Sequence, residues 1–209
     1  TEGIGLTPEQ LQGDQVASLA VPECGTKFVR GMLEDSRPQT FSDLVRISGF
    51  SHGTNVWLDN AQDLIKNGTC KLNEAISTRD DVMNFLIHRG MDRKHSFFVM
   101  ENVRKGKGIE KRNKQGQATT EFEAEMRENN IPEWFIESCK KISYLFPRAH
   151  AVAYVMMAFR IAWFKVYHPL AFYAAYFSIR AKAFDLRIMT GDLKTQMTEF
   201  NRIKALDRA

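Results

Sequence analysis

The chain has 209 residues, 44% of them hydrophobic and 26% charged, and a formal charge of +4. That length can bury a full core, and that balance of apolar to charged residues excludes wholesale disorder. Cys24, Cys70 and Cys139 lie far apart with no paired spacing. They exclude a cysteine-based zinc knuckle, argue against a disulfide framework and leave buried free thiols of a reducing compartment as the expectation.

Gly, Pro, Asn and Ser clusters cut the sequence into helix-length pieces, and no stretch sustains a period of two. Thr26 is placed to cap a helix through Phe28, Val29, Met32 and Leu33 that ends before Pro38. Thr40 caps Phe41–Ile47, with Gly49 as the stop, and 48–57 then reads as a polar loop. A short helix over Asn60–Lys66 closes at Asn67-Gly68. Thr78, followed by Asp80 and Asp81, opens the next, with Val82, Phe85 and Leu86 at helical spacing. Paired aspartates invite a metal reading, but acids in a first helical turn need no ion to explain them. Arg93–Val103 is helical and runs into Arg104-Lys105-Gly106-Lys107-Gly108, while 109–119 is polar and expected to be a flexible loop.

Thr120–Glu128 and Pro132–Leu145 follow as helices, with Pro132 at a first helical position. Pro147 opens the longest helix, to about His168, and Pro169 opens another through Ala183. The apolar stretch Ala149–Ile179 is broken by Arg160, Lys165, His168 and Pro169, so two core helices fit it better than a membrane span. Asp192–Leu206 is a last amphipathic helix. The fold class is therefore all-α, an irregular multi-helix domain without substantial sheet. The chain starts at Thr1 without a methionine and stops at Ala209 inside a helical-looking run, as expected of a piece of a longer chain; no signal peptide is seen.

Charge is uneven. Between His88 and Lys114 nine Lys and Arg face three acids, a local excess of +6 against −2 for the rest. One concentrated basic patch points to a polyanionic partner. Phe146-Pro147-Arg148-Ala149-His150 sharpens this, because Pro147 puts Arg148 and His150 in a first helical turn. Free N–H groups and the positive dipole end lie there, so cations go against the local rule and a bound anion such as phosphate would resolve the conflict. His150 and Tyr154, four apart, share a face that suits a flat ligand such as a nucleobase. The bland alternative is two half-buried helix residues beside a solvated arginine. The glycines of the 104–108 run let backbone approach phosphate, although alone it also reads as a solvated turn. No GxxxxGK[ST], HExxH or Ser/His/Asp arrangement appears.

Ordered motifs carry a resemblance beyond this. Pro22-Glu23 with Gly25-Thr26-Lys27-Phe28-Val29-Arg30, Ile47-Ser48-Gly49 with Ser51-His52-Gly53-Thr54-Asn55-Val56-Trp57, and Val103 through Gly108 are among them. So are Phe122-Glu123-Ala124-Glu125-Met126, Pro132-Glu133-Trp134, Phe146 through Tyr154 and His168-Pro169-Leu170. Together they resemble the fingers of C-family DNA polymerases, above all the PolC-type DNA polymerase III α subunit of low-GC Gram-positive bacteria. The likeness spans roughly residues 4 to 187; residues 109–120 form a longer linker than the family usually carries.

The resemblance implies a fingers fragment over 1–185 and a helical segment leading out of the fingers over 186–209. It implies a cytoplasmic, membrane-free enzyme that adds deoxynucleotides to a primer on a template, with Mg2+ held by palm aspartates outside this chain. The fragment alone is then inactive, binds no metal and holds no catalytic residue. Its partners are dNTP, template-primer DNA, the palm and thumb of the same polymerase, and the replisome through the full-length protein. His150 and Tyr154 would meet base and sugar, with Arg148, Arg104, Lys105, Lys107 and Lys94 towards phosphates or template backbone. Ser51 and His52 would line the cleft, and Lys27 and Arg30 would face the palm side. The rival readings are a non-enzymatic helical nucleic-acid-binding module built on the 88–114 patch, and a purely structural helical domain.

Overall fold

The structure, a computed structural model, describes residues 16–112, 118–182 and 184–206. Thr26 accepts a 3.3 Å hydrogen bond from the Val29 N–H and starts α1 (Lys27–Ser36), which turns Val29, Met32 and Leu33 inward. α2 (Phe41–His52) opens on a reciprocal cap: the Asp43 N–H donates to Thr40 Oγ1 at 3.1 Å, and the Thr40 N–H donates to Asp43 Oδ2 at 2.9 Å. The helix does not stop at Gly49 but runs on to His52. A Cβ at Gly49 would lie 2.6 Å from the Ser77 carbonyl oxygen and 2.9 Å from Thr78 Cγ2, so this glycine serves close packing and not termination. Gly53 ends the helix, which moves Ser51 and His52 out of the expected loop and onto its last turn.

Leu58 is extended and Asp59 left-handed within Trp57–Ala61, so α3 is confined to Gln62–Lys66. Asn60, expected to begin that helix, is buried instead, with Nδ2 donating to the carbonyls of Asn55 at 3.0 Å and Ser138 at 3.4 Å. α4 (Arg79–His88) packs on α5 (Arg93–Arg104), which Asp92 caps by accepting from the Lys94 and His95 N–H groups. Where a structureless loop is expected, β1 (Lys111–Arg112) and β2 (Ala118–Thr119) form a two-residue antiparallel pair; 113–117 lie outside the described residues. That pair is too small to alter an all-α fold. α6 (Glu121–Glu128) and α7 (Glu133–Lys141) follow, and α7 stops short of Leu145 because Ile142 turns extended. Phe50, Phe135, Met32, Ile47, Ile76 and Leu86 fill the core, with Phe85 stacked on Phe135 at 4.1 Å.

α8 (Arg148–Tyr167) lays Ala151 and Val155 on Val45 of α2. The expectation that its aromatics are core does not hold, since Phe159 and Phe164 are 45% and 49% exposed. α8 is apolar on every side, and only the stripe Ala151, Val155, Ala158 is covered. Packing divides the chain into two compact units, residues 1–162 and residues 163–209. The second holds α9 (Pro169–Ala175), a wide turn over Tyr176–Arg180, α10 (Leu186–Met189) and α11 (Leu193–Leu206). The run opened by Pro169 stays helical through Arg180, α9 passing into a π-helical turn, and so stops short of the expected Ala183, whose own position lies outside the described residues. This packing division precedes the 185/186 boundary expected for the fingers.

All three thiols are free, Cys70 and Cys139 buried and Cys24 partly so. Burial pushes Cys24 and Cys70 up to about 11 and Cys139 further, which makes them poor nucleophiles at neutral pH.

Candidate functional site

The site is assembled on an extended stretch, 142–147, between α7 and α8. Thr54, just after α2, donates to the Tyr144 carbonyl at 3.0 Å and accepts from the Ser143 N–H at 3.0 Å. The Leu145 N–H donates to the carbonyl of Arg104, the last residue of α5, at 3.3 Å. The Arg79 N–H, first in α4, donates to the Phe146 carbonyl at 3.1 Å. Backbone groups left unpaired at two helix ends, of α4 and α5, and those of Thr54 just past α2 are therefore satisfied by one strand-like segment, which fixes where α8 begins.

At that start the anion demanded by the sequence is present, and it comes from the chain itself. The Arg148 N–H donates to Asp80 Oδ2 at 2.9 Å, and its guanidinium donates to Asp81 Oδ1 at 2.6 Å. Arg46 approaches the same oxygen at 3.5 Å. Asp81 Oδ2 accepts from the N–H and hydroxyl groups of both Ser77 and Thr78, at 2.7 to 3.1 Å. The paired aspartates thus cap helices and hold arginines. Surrounded by donors and cations, they do not fit a divalent metal, and among the described residues no three His, Cys, Asp or Glu cluster to hold one.

Beside this network four rings meet. His52, on the last turn of α2, stacks on Phe146 at 4.7 Å with planes 24° apart, and lies 6.1 Å from Tyr154 at 29°. His150 stands edge-on to Tyr154 at 4.8 Å and 80°, and to Phe146 at 5.3 Å. The His150–Tyr154 pair that the spacing predicts is an edge-to-face contact, and the flat stack is His52 on Phe146. His150 and Tyr154 are exposed. His52 Nε2 lies 2.9 Å from Glu23 Oε2.

The basic run forms a left-handed turn at Gly106 (φ +68°) and Gly108 (φ +64°). Glu101 takes Arg104 in a two-pronged contact at 2.5 and 3.0 Å and Lys105 at 2.9 Å. The Arg104 hydrogen bonds, then that from Lys105, hold the Glu101 carboxyl down at about 2. Lys107 is exposed and carries no ion pair among the described residues. Because Arg104 bonds Leu145 and Phe146 is the next residue, the turn and the ring cluster adjoin through one segment.

The other expected residues are dispersed. Ser51 donates to the Ser48 carbonyl at 3.0 Å and lines a groove of about 720 Å3 with Glu23, Cys24, Leu44, Val155 and Phe159. Arg30 donates to the Val16 carbonyl at 3.2 Å. Lys27 and Lys94 are exposed on the first turns of α1 and α5, and no described contact ties either to the rings. Sequence reasoning missed Glu23 and Phe146 as members of the cluster. Phe146 left one signal, its spacing of four from His150, but it precedes Pro147 and so stands outside the helix to which that spacing applies.

Comparison with known proteins bears on the chain as a whole. Residues 11–130 match the model of the bacterial DNA polymerase III alpha subunit finger domain. The chain is 56% identical over 207 residues to the PolC-type DNA polymerase III of Thermotoga maritima, covering 98% of this chain and 14% of that protein. With the corresponding protein of Caldanaerobacter subterraneus subsp. tengcongensis it shares 55% over 204 residues, again 98% of this chain and 14% of the relative. With that of Bacillus subtilis it shares 56% over 189 residues, 90% of this chain and 12% of the relative. The chain therefore spans about 14% of the length of the first two.

Proposed function

Because this chain belongs to the finger-domain family of bacterial DNA polymerase III alpha subunits, of the PolC type, we propose that its ring cluster and basic turn grip an incoming dNTP on template-primer DNA. The observation that carries this reading is the exposed His150–Tyr154 pair, backed by Phe146 and His52 and joined to the basic turn through the Arg104–Leu145 hydrogen bond. Rings of this kind accept any base by its face, at about 1–3 kcal/mol per stacked base. Lys107 reaches freely for phosphate or template backbone, Lys105 does so against its 2.9 Å ion pair with Glu101, and Lys94 stands at the opposite, N-terminal end of α5. Arg104 and Arg148 serve less freely, since an incoming phosphate competes with Glu101 for one and with Asp81 for the other.

The chain contributes binding and orientation. Nucleotidyl transfer itself, with its Mg2+, belongs to palm residues outside this chain, so the fragment alone is inactive. The palm and thumb, and through the full-length protein the replisome, are its working partners in the cytoplasm. α8 is long and apolar enough to cross a membrane. Its first turn is nevertheless tied into the Asp80–Asp81 network, which belongs to a helix that starts in an aqueous domain.

The direct test is single-nucleotide incorporation by the full-length polymerase. His150→Ala combined with Tyr154→Phe should lower kcat/KM for dNTP about tenfold or more, in line with the loss of one stacked base. Unchanged KM and kcat would remove both residues from the site. Arg104→Ala should weaken DNA binding and reduce the slope of log K against log salt by about one. Salt-sensitive single-stranded DNA binding that ignores His150 and Tyr154 would instead favour a nucleic-acid-binding module acting through the 88–114 patch.

A further inference from the structure

Glu23 has no part in the phosphate or base contacts above, yet the chain holds it at a cost. Its φ is +65°, in the left-handed region that a side chain with a Cβ disfavours, and Ala20 nearby is at +66°. Strain of this kind persists where surrounding contacts dictate it and gathers at functional sites. Here the contact is His52, whose Nε2 sits 2.9 Å from Glu23 Oε2, both side chains about one-third exposed (33% each). The imidazole at that contact lies on Phe146 and beside Tyr154. The chain of contact runs from a strained glutamate through a histidine to the rings of the ligand face.

We infer that Glu23 is a positioning residue of the dNTP site, acting through His52 to set Phe146 and Tyr154 in the orientation that receives the base. The inference rests on the nucleotide-gripping reading. A carboxylate is suited to the task because its charge, 2.9 Å from His52 Nε2, attracts the imidazole and holds the ring where it lies. A stacked ring pair with one member free to shift would offer the base a variable surface; holding His52 against Phe146 limits that freedom.

The test uses the full-length polymerase and steady-state incorporation of a single dNTP. Glu23→Gly is the informative substitution, because glycine relieves the left-handed strain while deleting the carboxylate, so a defect is not attributable to lost folding. It should raise KM for dNTP about three- to tenfold with kcat changed less than about twofold, the size of coupling seen between residues in one contact network. Glu23→Gln, which keeps an acceptor oxygen, should recover most of the loss. In a His52→Ala background Glu23→Gly should add nothing further, since its route of action is gone. Full additivity of the two substitutions, or an unchanged KM in Glu23→Gly, overturns the inference. His150→Ala in the same assay separates the two failures. If it raises KM while Glu23→Gly does not, only the role of Glu23 is lost; if neither moves KM, the nucleotide reading falls as well.

Discussion

Asp81→Ala is expected to destabilise the fold by about 3–5 kcal/mol, the range for breaking a buried ion pair and leaving its partners uncompensated. The size follows from what the carboxylate holds. One oxygen accepts four hydrogen bonds from Ser77 and Thr78, which are 1% and 0% exposed, so their donors have no route to water once it is gone. The other faces Arg148 at 2.6 Å and Arg46 at 3.5 Å, and the Arg46 side chain is only 12% exposed. At about 2–4 °C per kcal/mol for a chain of this size, thermal unfolding should fall by roughly 10 °C. Asp80→Ala is the control, because Asp80 supplies the cap on the Arg148 N–H and its loss should cost only about 1 kcal/mol. Asp81→Asn should fall between, keeping one acceptor oxygen while turning an amide donor towards two arginines. Equal losses at 80 and 81 would mean that Asp81 is an ordinary cap and that the junction of α2, α4 and α8 is held elsewhere.

The same junction shows how far the amino-acid sequence reaches. Caps that act within four residues, Thr26 on Val29 and Thr40 with Asp43, are where local chemistry puts them. Gly49 is read wrongly because a glycine that ends a helix and one that admits a neighbour look alike in sequence; Ser77, 28 residues away, decides between them. At the start of α8 the need for an anion is legible from Arg148 and His150, but its identity is not, since Asp80 and Asp81 arrive from a separate helix. The ring cluster divides in the same way. His150 and Tyr154 pair by spacing, whereas His52 reaches Phe146 across 94 positions through the fold. Along α8 the period is lost in a mostly apolar composition, so the sequence cannot say that Phe159 stays open while Val155 is covered.

The two glycines of the basic turn give the second large effect, because they share a backbone shape and differ in surroundings. Gly106 and Gly108 are both left-handed, and alanine at either should cost about 1–2 kcal/mol from that conformation alone. At Gly108 nothing lies within 4 Å of an added Cβ, so the cost should end there. At Gly106 the added Cβ would lie 2.5 Å from the Ser143 carbonyl oxygen, a backbone atom that cannot swing aside. Forcing the turn outward adds the strain of an overfilled contact, bringing Gly106→Ala to about 3–4 kcal/mol. The consequence for binding is sharper than for stability. Ser143 is two residues from Leu145, so a displaced turn loses the Arg104–Leu145 hydrogen bond that links the cations to Phe146. Gly106→Ala in the full-length polymerase should therefore raise KM for dNTP, while Gly108→Ala should leave it nearly unchanged, with thermal melts of both variants as the companion measurement. Equal losses at the two positions would show that left-handed backbone, and not the approach of Ser143, is what requires glycine at 106, and the cations would then act independently of the rings.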